Sequence, residues 1–151
     1  MTVARVALVA VGVVSIALAL AGFWYNFMTI RVDFSKFHQE RDIPYFYQAY
    51  YVMSAICLAC YCLLLYIGVQ LIRGRTNMVT LLTLLLLGEV LYFFAIGSLW
   101  MMPEYGMSIA AATGVANGGL MFQAFVLFPL WAPAVVYFAS RSLRLRKSAI
   151  E

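Results

Sequence analysis

Of the 151 residues, 66% are hydrophobic and only 11% charged, against about 45–50% and about 25% in soluble domains. A chain this apolar lacks the polar residues to cover a core in water, whereas lipid tails solvate an apolar exterior, so the composition points to an integral membrane protein. Ten Lys and Arg against six Asp and Glu give a formal net charge of +4, with no extended basic surface of the kind nucleic acid requires.

Four apolar runs, near 6–28, 46–72, 78–101 and 119–140, reach the roughly 20 helical residues that cross a hydrocarbon core. None alternates with the two-residue period of a barrel strand: "LLTLLLLG" and "VALVAVGVVSIALALAG" are apolar all round. The expected fold is all-α, a single four-transmembrane-helix bundle over 1–151 with short loops. Outer loops are expected at 29–45 and 102–118. No segment outside the spans exceeds about twenty residues, short of the 50 or more of a usual soluble domain.

The first run, preceded by Arg5 and ending in "ALALAG", has the flanks of a secretory signal but exceeds the usual signal core, so it is expected to remain as a helix. Within it Gly12, Ser15, Ala19 and Gly22 step by three, four and three. This stripe lets a neighbouring backbone approach closely. The run closes in "FWYNF", suited to an aromatic belt at the outer interface.

The first outer loop, "RVDFSKFHQERDIPYF", interleaves charges with aromatic residues and suits a segment lying on headgroups. Pro44, with Asp42 before it, favours a helix start there. The second and third spans are joined by "RGRTN", too short for anything but antiparallel neighbours. In the second outer loop the apolar piece 107–116 is too short to span. One helix over 107–140 would run roughly 50 Å, so a break at Asn117-Gly118-Gly119 is expected. Pro129 and Pro133 are expected to kink the last span, and the basic tail with Arg141, Arg144, Arg146 and Lys147 to contact lipid headgroups.

Orientation follows from positive charge. Arg5, Arg73, Arg75, Arg141, Arg144, Arg146 and Lys147 fall on one side, and Arg31, Lys36 and Arg41 on the other. Seven against three places both termini in the cytoplasm, in a membrane expected to be the bacterial inner membrane.

Glu89 interrupts "TLLTLLLLGEVLYFFAIGSLW", roughly 17 Å into the third span. A charge at that depth is costly, so the neutral acid, a good donor, is the expected form. Its candidate partners are Tyr61 and the thiols at similar depth, and the carbonyl of Phe125, which Pro129 leaves without its usual donor. Interhelical bonding and proton or ion coupling are both open to it. "CLACYC" sets Cys57, Cys60 and Cys62 within the second span. Thiol-exchange chemistry would need them at the outer surface, so small packing residues are expected instead. His38 is the single histidine, too few for bis-histidine haem or a typical zinc site. Asn117 and Gln123 are expected to cap or to bond across helices. No cofactor and no metal is expected.

Four short helices with one membrane glutamate are similar to small multidrug transporters. Those carry it in the first helix, however, and often show little charge bias, so the comparison carries no residue over to this chain. The expected role is a non-enzymatic accessory, assembly or structural subunit of a larger membrane complex. Its partners would be lipids and other membrane subunits or further copies of itself. The alternative is a minimal ion- or proton-coupled transporter or channel using Glu89, and a membrane thiol oxidoreductase is a distant third.

Overall fold

The computed structural model describes residues 2–32, 46–99 and 127–148. Among them there are four α-helices and no strand: α1 (Val3–Val32), α2 (Phe46–Ile72), α3 (Met78–Leu99) and α4 (Phe128–Ser148). Two of the four contain stretches long and apolar enough to cross a membrane, Val3–Thr29 and Tyr47–Ile72. The first helix runs on to Val32, into the stretch expected as outer loop from 29; the rest of that loop with His38, the second loop with the 107–116 piece and Asn117, and Gln123 and Phe125 lie outside the described residues.

The helices close into a ring in which each touches its sequence neighbours and α1 also packs on α4. The contact between α1 and α2 is much the most extensive, and that between α2 and α3 the thinnest of the four. Sequence explains the difference. On α1, Leu8, Val11, Gly12, Ser15, Ala19 and Gly22 face inward; on α2, Cys57, Tyr61, Leu64, Ile67, Gly68 and Leu71 do. Steps of three and four keep one seam facing its partner along the whole helix. In α3 a continuous leucine run distinguishes no face in this way, and leucine throughout specifies packing poorly.

The seam closes on two glycines. A Cβ at Gly12 would stand 2.7 Å from the Gly68 carbonyl oxygen, and one at Gly68 would stand 2.8 Å from that of Gly12. The backbones touch because neither residue has a side chain. At the α2–α3 turn, Gly74 takes a left-handed φ of 86°, the conformation that ends many helices and that glycine adopts without strain. Its N–H reaches the Leu71 carbonyl at 2.9 Å, and that of Arg75 reaches Gln70 at 3.0 Å. The next orphan carbonyl, that of Ile72, accepts from Arg5 Nη2 at 2.6 Å. The start of α1 is thereby fastened to the end of α2.

The last helix differs from expectation. Leu127 has a φ of 54°, outside the helical range, and α4 starts at the next residue, while 119–126 lie outside the described residues. Pro129 then falls in the first turn of α4, where N–H groups have no intrahelical partner to lose. Only Pro133 lies in the interior, and there it removes the bond that would end on the Pro129 carbonyl.

Gly12→Val or Gly68→Val should destabilise the fold by about 1–3 kcal/mol through overpacking. Gly88→Ala, whose new Cβ would meet nothing within 4 Å, should be neutral or stabilise by up to about 1 kcal/mol. Denaturant or thermal unfolding in detergent checks both, and an unaffected Gly12→Val would mean that α1 and α2 do not meet there.

Candidate functional site

The small-residue stripe does not stop at Gly22. Four residues on comes Asn26 and three further Thr29, both buried, on the same face as Gly12, Ser15, Ala19 and Gly22, which are buried too. Each polar member is anchored to its own helix. Ser15 donates to the Val11 carbonyl at 2.8 Å, Asn26 to Gly22 at 3.2 Å and Thr29 to Tyr25 at 2.8 Å. The stripe therefore lies within the chain, against α2, and is not a surface open to a partner.

Tyr61 explains the second glycine of the stripe. Its ring is fully buried and occupies the place a side chain at Gly22 would take, with ring Cζ 2.5 Å from an ideal Cβ there. Phe23 meets the ring edge-on at 5.7 Å, and Asn26 faces its hydroxyl across the seam. Tyr61 is thus held on the α1 side of α2, by two neighbours one turn apart.

Across from Cys57 and Cys60 of α2 stands Glu89 of α3. It is 4% exposed, half-way along α3, and its Oε1 has no hydrogen-bond partner. The thiols of Cys57 and Cys60 and the hydroxyl of Tyr61 lie within electrostatic reach of the carboxylate. Beside it a cleft of about 330 Å³ separates the two helices. Its walls are Ile56, Cys57 and Cys60 from α2, and Leu84, Leu85, Gly88, Glu89 and Tyr92 from α3. Ile56 and Leu84 are exposed, so the cleft opens on the flank of the bundle. No cation lines it.

The three cysteines, all free, separate by helical period. Cys57 is buried, Cys60 half-buried in the cleft wall, and Cys62 exposed on another face. The expectation that all three are buried packing residues holds only for Cys57, because five residues along a helix turn Cys62 well away from it. Among the described residues no group of three or more His, Cys, Asp or Glu is placed to hold a metal ion. Arg141, Arg144 and Arg146 are exposed at the end of α4, where positive charge also suits the helix dipole. Lys147 lies in the same last turns, its side chain outside the description.

Sequence reading missed Asn26, Ser54, Gln70 and Ser140, all buried polar residues. The signal for Asn26 was present: the three–four stepping from Gly12 to Gly22 runs on to it unbroken. Ser54 likewise continues the inward positions of α2, one turn before Cys57. Among the described residues the interior thus holds two amides, several hydroxyls, a thiol and one carboxyl inside an apolar shell. Such groups bond helices to one another and can hold a polar ligand.

No family model, no curated protein and no solved structure matches the chain.

Gly22→Ala should destabilise by about 1–3 kcal/mol, since the new methyl meets the Tyr61 ring. Tyr61→Leu should relieve much of that penalty. A double-mutant cycle measures the coupling, and strictly additive effects would contradict the contact.

Proposed function

We propose that this chain is an integral protein of the bacterial inner membrane, with four spans and both termini cytoplasmic. In this reading it works as a non-enzymatic accessory or structural subunit of a larger membrane assembly. The observation that carries the membrane reading is the inverted polarity of the bundle. Large apolar side chains cover the outside of every helix, among them Leu20, Ile56, Leu84, Phe94, Leu130 and Phe138, with Phe94 and Leu130 each 73% exposed. Ser15, Asn26, Ser54, Gln70 and Glu89 face inward. Water disfavours apolar surface this continuous, whereas hydrocarbon favours the distribution. Exposed hydroxyls fit the same solvent: Thr83 donates to its own helix at Val79, 2.9 Å away, and Ser98 to Phe94 at 3.1 Å, as groups without water must.

The subunit role is supported by the makeup of the polar interior, which suits helix bonding better than catalysis. With the small-residue stripe turned inward, the surfaces left for other subunits are the apolar outer faces of the helices. The second reading, a proton- or ion-coupled transporter, is favoured by one feature, the unpartnered Glu89 beside an open cleft.

Three measurements test these statements. Alkaline extraction should leave the chain in the membrane fraction. Reporter fusions at Glu151 and within 33–41 should label opposite sides, and a cytoplasmic signal from the latter would overturn the topology. Finally, wild type, Glu89→Gln and Glu89→Leu are reconstituted, and retention of partner subunits is compared with pH-driven flux. No flux in any variant, with assembly weakened mainly by Glu89→Leu, supports the structural role. Flux in wild type abolished by Glu89→Gln, with assembly intact, replaces it with the transporter, because the amide packs alike but cannot titrate.

A further inference from the structure

We propose that the α2–α3 cleft is a binding site for a slim, neutral, hydroxyl-terminated apolar molecule, a lipophilic alcohol, which enters sideways and donates a hydrogen bond to Glu89. The inference rests on the membrane reading above for the direction of entry.

Its size comes first. About 330 Å³ is at the small end of the roughly 300–1,000 Å³ that small-molecule sites occupy. Its mouth lies between exposed Ile56 and Leu84 on the flank of the bundle, half-way along α3 and away from the helix ends. A ligand arriving there comes from the apolar phase. The walls ask for an apolar body, and the floor asks for something else. Glu89 is more than nine-tenths buried, and its Oε1 accepts nothing from the protein. Asn26 Oδ1 and Gln70 Oε1 are also buried without a partner, but neither lines this cleft, as Glu89 does, and an acceptor left unpaired costs about 1–3 kcal/mol. The chain does not close the gap with a side chain. Gly88, next to Glu89 on the cleft wall, has nothing within 4 Å of where its Cβ would be.

The cleft therefore supplies an acceptor and needs a donor. A cation would also donate, but among the described residues no second charged group lines the cleft, and stripping an ammonium of water costs several kcal/mol. A hydroxyl donates without that penalty. It also serves either protonation state of Glu89: it donates to the carboxylate, or it donates to the carbonyl oxygen of the neutral acid while accepting the acid proton. A whole helix is excluded from the floor, since Glu89 is too deeply buried to meet anything wider than a chain-like molecule.

The test uses the purified full chain in phosphatidylcholine nanodiscs with radiolabelled dodecanol, read against empty nanodiscs. Unlabelled dodecane and dodecylamine serve as competitors. Wild type should retain the alcohol, and dodecane should compete at least tenfold less well than unlabelled dodecanol. Gly88→Leu fills the cleft without touching the core and should lower retention at least tenfold. Glu89→Leu should lower it about three- to tenfold, the worth of one hydrogen bond. Glu89→Gln keeps a carbonyl acceptor and should stay within about threefold of wild type. Thermal melting of each variant separates lost binding from lost fold, and Gly88→Leu and Glu89→Gln carry the test if Glu89→Leu does not fold. Equal competition by dodecane, or full retention in Gly88→Leu, overturns the proposal. So does preference for dodecylamine that vanishes in Glu89→Gln, which would make the site one for cations. Retention no better than empty nanodiscs, with a co-purifying subunit lost in Gly88→Leu, overturns it in favour of a protein occupant. Release of the chain by alkaline extraction would sink the membrane reading alone, because dodecanol retention is still measurable on the purified chain in detergent.

Discussion

The meeting of Gly12 and Gly68 is the constraint on which the rest of the bundle depends. With each Cβ position less than 3 Å from the other helix's carbonyl oxygen, the backbones of α1 and α2 are in direct contact. Shape supplies this closeness, because neither glycine carries a side chain to hold the backbones apart. It holds along the whole seam: Arg5 closes one end on Ile72, and Tyr61 fills the hollow over Gly22 towards the other. A rigid antiparallel hairpin results, and α3 and α4 are laid against it.

That arrangement decides where polar groups go. The narrow α1–α2 seam admits only residues that bond to their own backbone, as Ser15, Asn26 and Thr29 do. Between α2 and α3 there is no such fit. The short turn with Gly74 holds the helix ends together, but leucines at successive positions of α3 offer no ridge that matches α2 alone. A gap opens half-way along, and the single carboxyl of the interior stands at its floor. The rigidity of one interface and the looseness of the other are consequences of the same sequence economy: small residues are placed on α1 and α2 and are nearly missing from the first half of α3.

Much of this was legible in residues. Composition and run length were enough for an all-helical chain with long apolar helices, because the runs are apolar all round and show no two-residue period. The stripe of Gly12, Ser15, Ala19 and Gly22 announced a close contact, although not with which helix. Its continuation to Asn26 went unread because "FWYNF" was taken as an interfacial belt, where an asparagine faces water and raises no question. The expectation for Pro129 rested on a continuous helix, and a left-handed Leu127 cannot be read from its neighbours, since leucine rarely adopts it. For Glu89, depth along its span was readable and surroundings were not. Whether a buried carboxyl has a partner depends on side chains from another helix, and sequence order says nothing about their distance.

The lack of a partner for Glu89 is the point at which structure and function meet. Ser15 shows that this chain can satisfy an interior polar group when the packing is tight, by turning it back on its own helix; Asn26 does so through its N–H alone, its Oδ1 staying unpaired. A glutamate can do the same less readily, because its longer side chain carries the acceptor away from the backbone and an ionised carboxyl has no proton to give a carbonyl. Glutamine at this position would supply that proton and remove the difficulty. A structural role alone is served as well by the amide as by the acid. An acid therefore matters here only if something outside the chain completes it, and the cleft beside Gly88 is where that something can enter.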